Sequence, residues 1–323
     1  MRIVVALGGN ALLRRGEPME ASIQRQHVEA AACAVASIAR EHQVVLTHGN
    51  GPQVGLLALQ SEAYHSVHPY PLDVLGAESE GMIGYLLQQA LANELPGHEI
   101  ATVLTEVLVD VEDSAFGHPT KPVGPVYTKD AAVQVSKERG WDVAPDGAGY
   151  RRVVASPQPR EIVQIDTIRR LVEGGVTVIC SGGGGIPTVL DSSSGRRIGI
   201  EAVIDKDLSA ALLAVETSAE LLLLLTDVDA VYAEWGRPQA RPIRGTTPEE
   251  LRRICFAEGS MGPKIEAACR FVEATGHRAA IGALEKAADI LAGTSGTCIT
   301  PGVSRPMLEG SDGTESRPSL FLG

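Results

Sequence analysis

Ile3-Val4-Val5-Ala6-Leu7 runs straight into Gly8-Gly9-Asn10, and that junction decides the architecture. An apolar, β-branched run without polar alternation is the pattern of a strand covered on both faces, as in the middle of a parallel sheet. The design returns twice. Val44-Val45-Leu46 opens into Thr47-His48-Gly49-Asn50-Gly51-Pro52, and Val176-Thr177-Val178-Ile179-Cys180 opens into Ser181-Gly182-Gly183-Gly184-Gly185-Ile186-Pro187. Three apolar strands that each empty into a glycine loop predict an α/β fold with one crevice at the carboxyl ends of its strands. Bare backbone N–H groups in such loops suit phosphate oxygens.

Between these landmarks the spacing alternates between helix and strand. Ile23, His27, Val28, Ala31, Val35 and Ile38 share one helical face over 22–40. Further helices are predicted over 53–64, 78–95, 166–173, 207–216 and from Pro263-Lys264 to Gly276, and strand-like patterns over 100–109, 202–204, 221–225 and 279–281. Thr247-Pro248-Glu249-Glu250 supplies an N-cap, a proline at the first helical position and a glutamate at the third. From about 113 to 159 the texture changes. Prolines and glycines crowd residues 117–125, a short helix follows to Gly140, and Asp146-Gly147 marks a hairpin. That segment is expected to be a small excursion from the main sheet. The tail 304–323, with little periodicity, is expected to be flexible.

With 323 residues the chain can bury a large core. A net charge of −12 and a pI near 5.2 argue against general attraction to nucleic acid or an anionic membrane. Local lysines and a divalent cation would have to overcome that field for any phosphorylated ligand. Cys33, Cys180, Cys255, Cys269 and Cys298 form no C-x-x-C pair, which fits reduced thiols and a cytoplasmic protein. No stretch approaches a membrane span, and the apolar run after Met1-Arg2 stops at Gly8.

The sequence has no Gly-Lys dipeptide, so a standard P-loop is excluded, and it has neither a G-x-S-x-G elbow nor an H-E-x-x-H helix. Gly49-x-Gly51-x-x-x-Gly55 misses the dinucleotide fingerprint by one residue. Lys264 falls in the first turn of its predicted helix, where the helix dipole disfavours a cation by roughly 0.3–1 kcal/mol. A lysine beside unpaired helix N–H groups makes an anion site; the alternative is a solvated surface lysine. In Asp205-Lys206-Asp207 the lysine can neutralise phosphoryl charge and an acid can help organise Mg²⁺, or Asp207 can be a plain N-cap. His48 is either a general acid or a group that only hydrogen-bonds its loop. Glycine loops and isolated lysines suit phosphoryl transfer, which needs positioning and charge neutralisation above all.

Val5–Leu12, Thr47–Gly55, Gly81-Met82-Ile83-Gly84-Tyr85, Ser181–Pro187, Ala202–Asp207 and Gly259–Lys264, in this order and spacing, resemble the carbamate kinases over roughly residues 1–300. The resemblance implies the amino-acid kinase fold: a three-layer αβα sandwich with a largely parallel central sheet and a small protruding subdomain at 113–159, within a domain spanning 1–303. It also implies a homodimer and a reversible, Mg²⁺-dependent transfer between ATP plus carbamate and ADP plus carbamoyl phosphate. It places Gly8, Gly9 and Asn10 beside the transferred phosphoryl group, and Gly49, Asn50 and Gly51 on the carbamoyl side. Ser181, Gly182, Gly183, Gly184, Asp227, Tyr232, Met261, Gly262 and Pro263 would line the nucleotide site. Lys206 and Lys264 would stabilise charge, Asp207 would orient them, and Lys121 would reach in from the subdomain. No dedicated protein metal ligand is implied. The chain departs from the family pattern at Ala230, usually glycine, and at Glu78-Ser79-Glu80, usually less acidic, which sets an added acid near an anionic substrate.

Two other readings stay open from the residues: a relative of this fold with another small carboxylate or phosphate acceptor, and a non-catalytic nucleotide-binding protein. A nicotinamide-dependent oxidoreductase is the third and would need the fingerprint that Gly49–Gly55 lacks.

Overall fold

A computed structural model describes residues 1–14, 16–64, 68–254, 256 and 261–302. The expected flexible tail, Cys255, and Gly259-Ser260 of the last family motif lie outside the described residues.

In chain order the elements begin with β1 (Arg2–Leu7), α1 (Ala21–Ala39), β2 (Gln43–His48), α2 (Gly51–Ala63), α3 (Leu72–Glu94), β3 (Ile100–Val103) and β4 (Glu106–Val109). The excursion contributes β5 (Lys121–Tyr127), α4 (Lys129–Arg139), β6 (Val143–Asp146) and β7 (Gly149–Val154). There follow β8 (Pro159–Ile162), α5 (Ile165–Glu173), β9 (Thr177–Cys180), β10 (Ile186–Leu190), β11 (Arg197–Gly199), α6 (Lys206–Glu216) and β12 (Leu221–Thr226). The chain continues through β13 (Val231–Ala233), β14 (Arg241–Ile243), β15 (Gly245–Thr246), α7 (Pro248–Arg252), α8 (Met261–Thr275), β16 (Arg278–Ala283), α9 (Ala287–Leu291) and β17 (Thr297–Ile299).

The main sheet has the order β15-β17-β16-β12-β1-β2-β9-β3, and within it only β16 and β17 pair antiparallel. The three glycine-loop strands β1, β2 and β9 are neighbours, in the parallel register Leu7↔His48 and Leu46↔Ile179, so their loops leave the same edge side by side. Both faces of the sheet are covered. Ile3, Val5 and Leu7 pack with α1 and α3, through residues such as Val35, Ile38, Ile83 and Leu87. Val4 and Ala6 pack on the other side with α5, α6 and α8, through Ile168, Leu213 and Phe271. Two covered faces are the reason these strands carry no polar alternation.

The alternating run 100–109 is not one strand. It breaks at Leu104-Thr105 into β3, in the main sheet, and β4, which joins a second sheet of order β11-β10-β4-β8. The break is held from outside, since the Thr105 carbonyl accepts Ile186 N–H at 2.8 Å and its own N–H donates to the Glu80 carboxylate at 3.3 Å. Helix α3 also begins six residues before the expected 78, directly after Pro71, and residues 202–204 form a single bridge, Ala155↔Ala202, in place of a strand. The expected hairpin closes at Asp146↔Gly149, and the Thr247–Glu250 capping box forms with both of its hydrogen bonds. Strands β5, β7 and β6 make a separate three-stranded sheet. Cys33, Cys180, Cys269 and Cys298 are free thiols. Among the described residues no helix is long and apolar enough to cross a membrane.

Candidate active site

Helix α6 sets the centre of the site. Its N-cap is Asp205, whose Oδ1 accepts the N–H groups of Asp207 and Leu208 at 2.9 and 3.4 Å. That assignment removes Asp207 from the capping role considered from the sequence and leaves its carboxylate for other partners. Oδ1 of Asp207 accepts Lys206 Nζ at 2.5 Å and Oδ2 accepts Lys264 Nζ at 3.0 Å. Two lysines 58 positions apart therefore converge on one buried carboxylate. Lys264 is only 7% exposed, so it is not a solvated surface residue. The second oxygen of Asp205 accepts Lys121 Nζ at 2.8 Å, which brings the excursion's lysine to the same helix end.

The electrostatics follow from burial. Desolvation opposes the charge of Asp207, but Lys206 and Lys264 outweigh it and bring its pKa down to about 2. Burial also holds the Lys206 ammonium below its ordinary range, against the pull of Asp207. All four oxygens of Asp205 and Asp207 accept a hydrogen bond, three of them from an ammonium group. Among the described residues no cluster of three His, Cys, Asp or Glu side chains could cage a metal.

A cavity of about 230 Å³ opens beside these lysines, lined by Gly9, Asn10, Gly49, Asn50, Gly51, Lys121, Gly183 and Lys206 among others. The expected phosphoryl-side and carbamoyl-side loops thus face one space. Gly49 has to be glycine here, since a Cβ would lie 2.9 Å from Gly9 N. Gly8 stands behind the lining, its N–H donating to Leu225 O at 2.9 Å.

A second cavity, of about 600 Å³, has Thr226, Asp227, Tyr232, Trp235, Phe256 and Met261 in its wall. Its wall holds the aromatic pair Tyr232 and Trp235, with ring centroids 5.2 Å apart, and the carboxylate of Asp227. Such a slot suits a planar base with a polar appendage. The two cavities meet at a hydrogen bond, Asn10 Nδ2 to Asp227 Oδ2 at 2.8 Å. Burial disfavours the Asp227 charge, but the Asn10 amide and the Thr226 hydroxyl more than compensate and leave its pKa lowered. Ala230 is wholly buried in this wall. Gly262 and Pro263 follow Met261 in the first turn of α8 and carry Lys264 toward Asp207.

Residues Ser181–Gly184 are not among those that line the larger cavity. Gly183 lines the smaller one, while Ser181 and Gly182 are buried behind it. Ser181 adopts the left-handed region at φ 54°, unusual for a side-chain-bearing residue. Its surroundings over-determine that conformation: its N–H donates to Thr105 Oγ1 at 2.9 Å, its carbonyl accepts Thr47 Oγ1 at 2.8 Å, and its hydroxyl pairs with Ser209 Oγ at 2.7 Å.

His48 is fully buried and its Nδ1 lies 3.1 Å from the Gly49 carbonyl, so that nitrogen carries the proton. Burial pulls its pKa to about 4, reinforced by Lys206. The ring is neutral and serves its loop, the second of the two roles weighed from the sequence. Glu80, feared as an added acid beside substrate, is 1% exposed and points into the protein. Its burial pushes the pKa up to about 8 against the pull of nearby backbone N–H groups, those of Gly182 and Thr105 foremost, so the group is chiefly an uncharged acid at neutral pH. Glu78 is exposed. Sequence reasoning gave no role to Thr105, Trp235 and Phe256; Thr105 works through Glu80, Ser181 and Ile186, all distant in sequence, while Trp235 meets Tyr232 only three residues away.

The model of the amino acid kinase family matches residues 1–283, and the chain belongs to that family. Its relatives narrow the class. It is 55% identical to a carbamate kinase of Rhizobium meliloti over 94% of both chains, and 54% identical to one of Haemophilus influenzae over 93% of this chain and 97% of that one. The solved carbamate kinase of Giardia lamblia bound to AMP-PNP superimposes with a TM-score of 0.86 at 40% identity, over 93% of this chain and 98% of the other. Identity at this level over nearly the whole length sets the chain among the carbamate kinases.

Proposed function

We infer that the chain is an ATP-dependent phosphotransferase that interconverts ATP plus carbamate with ADP plus carbamoyl phosphate. The observation that carries the reading is the convergence of Lys206 and Lys264 on Asp207 beside a glycine-lined cavity. A carbamate oxygen attacks the γ-phosphorus of ATP, the bond from that phosphorus to the β,γ-bridging oxygen breaks, and ADP leaves with the electron pair. Carbamate is already an anion, so no general base is needed. The obstacle is repulsion between two anions, and three ammonium groups (Lys121, Lys206, Lys264), held by Asp205 and Asp207, bring positive charge to that spot in an acidic protein.

The nucleotide's base fits the larger cavity, against Tyr232 and Trp235, and its phosphates run past Asp227 and Met261–Lys264 toward Gly8, Gly9 and Asn10. Carbamate, or the carbamoyl end of the product, takes the smaller cavity among Gly49, Asn50 and Gly51, with Lys121 reaching in from a subdomain spanning 113–159. Mg²⁺ would enter with the nucleotide and supply charge neutralisation, and Asp227, whose carboxylate accepts Asn10 where the two cavities meet, would help to hold it. The lowered pKa of that carboxylate, kept by the Asn10 amide and the Thr226 hydroxyl, fits such a role. A homodimer in the cytoplasm completes the reading. In support of the dimer, Val74, Gly81 and Tyr85 fall on one side of α3, Val74 and Tyr85 are exposed, and exposed Leu104 sits beside Gly81.

The test is formation of ATP from ADP and carbamoyl phosphate in a coupled assay. Mg²⁺-dependent turnover is expected, with Lys264→Ala lowering kcat by about 10²–10³-fold and Lys121→Ala by less, since it is the more exposed lysine. Undiminished turnover in Lys264→Ala would refute the assignment.

A further inference from the structure

Two neighbouring residues of α3 reach different loops of the site, and neither touches the cavity themselves. Ser79 is fully buried; its Oγ accepts Asn50 Nδ2 at 2.8 Å and donates to Gly76 O at 2.8 Å. Glu80 turns the other way, accepting Gly182 N–H on Oε1 at 2.9 Å and Thr105 N–H on Oε2 at 3.3 Å. One helical turn thus holds the loop after β2 by its asparagine and the loop after β9 by a backbone amide.

The two loops are also in contact with each other. A Cβ on Gly183 would lie 2.1 Å from Asn50 Nδ2, so the Asn50 amide is sandwiched between that glycine and Ser79. A Cβ on Gly182 would meet the His48 ring at 2.4 Å and Glu80 Cγ at 3.0 Å. The glycine loop is pressed against the preceding loop and hung from α3 at the same time. Both loops line the smaller cavity, through Asn50 and Gly183, and neither residue lines the larger one.

We propose that Ser79 and Glu80 are positioning residues that fix the separation of the Asn50 loop and the Gly182–Gly184 loop, and so set the width of the subsite that takes the carbamoyl group. The inference rests on the carbamate kinase reading for the identity of that group. The acidic residue at position 80 acts as a hydrogen-bond acceptor for the glycine loop, and the charge it would bring to an anionic site is absent while it stays protonated. The second half of this helix is packed on the sheet by Ile83, Leu87 and Leu91, and Leu72 and Leu75 at its start pack with Val54, Val123 and Val154, which makes it a rigid support for such a role.

The test compares Glu80→Gln, which keeps an acceptor for Gly182 N–H, with Glu80→Met, which keeps the length and loses the acceptor, and adds Ser79→Ala. Glu80→Gln is expected to hold kcat and the KM for carbamoyl phosphate within about threefold of the parent. Glu80→Met and Ser79→Ala are expected to raise that KM about tenfold or more and to lower kcat, while the Kd of ADP by calorimetry stays within twofold. Hydrogen exchange on the full chain provides a readout independent of substrate: amides of 181–185 should exchange at least tenfold faster in Glu80→Met, with those of β1 unchanged as a check that the core is intact. Unaltered exchange at 181–185 overturns the proposal, as does a loss of ADP binding equal to the loss for carbamoyl phosphate, or failure of Glu80→Gln to rescue. Absence of turnover in the parent chain would refute the carbamate kinase reading and leave the exchange result to judge the bracket.

Discussion

Replacing Asp207 by asparagine removes one negative charge and almost no volume, and leaves two ammonium groups facing a neutral amide. Asp207 is 4% exposed and holds Lys206 at 2.5 Å and Lys264 at 3.0 Å. Its pKa stands near 2 against an ordinary 3.8, which at about 1.4 kcal/mol per unit makes ionisation in the folded protein worth on the order of 2 kcal/mol. Removing one partner from a buried ionic cluster typically costs about 3–5 kcal/mol, because the remaining charges are left uncompensated. A loss of about 2–5 kcal/mol is therefore expected, measured as a drop in the urea midpoint at unchanged slope. The sign with pH follows from a depressed carboxylate: the stabilisation is present above the unfolded pKa and is lost as the pH falls through the folded one. The gap between parent and Asp207→Asn should close between about pH 4 and 2. Activity should fall at least about 10²-fold, since the lysines lose their common anchor. Asp207→Asn combined with Lys264→Met removes one of the orphaned cations, and should recover part of the stability and none of the activity. An Asp207→Asn protein that unfolds within about 0.5 kcal/mol of the parent would refute the account of this cluster as mutually dependent.

Because burial keeps His48 neutral down to a pKa of about 4, its ring resonances should not shift between pH 8 and 5.5; a titration centred near 6.5 would contradict the buried, loop-serving role. The same lowering makes the parent lose stability as the pH falls from 6.5 toward 4, and a His48→Asn variant should lack that slope in urea titrations. Gly183→Ala should lower kcat/KM at least tenfold, since its Cβ would meet the Asn50 amide at 2.1 Å, whereas Gly195→Ala shares the same φ of 67° with open space around it. The alanine at 195 reports only the backbone penalty of about 1–2 kcal/mol, so equal stability losses at the two sites would show that the loop contact contributes nothing.

Much of the fold was legible because its signals are local. Apolar runs such as Val4–Leu7 and Leu221–Leu225 have to be covered on both faces whatever surrounds them, and the Thr247–Glu250 cap is completed within four residues. The failures came where a local pattern was overruled from a distance. The alternation over 100–109 reads as one strand, but Thr105 is held by Glu80 and Ile186, and the chain changes sheet there.

For the site, the amino-acid order by itself determined the kinds of group available: glycine loops after strands, a few lysines, and no P-loop. It also determined, through motif order and spacing, the family to which those groups correspond. Only the tertiary structure decided which of them meet. That Lys206 and Lys264 share Asp207, that Asp205 caps α6 and holds Lys121, and that Glu80 is buried beneath the glycine loop as an uncharged acid are all contacts between residues distant in sequence. The physical reason is that charge, burial and pKa belong to the neighbourhood of a side chain in space, and a neighbourhood assembled from β2, α3, β9, α6 and α8 leaves no mark on any one segment.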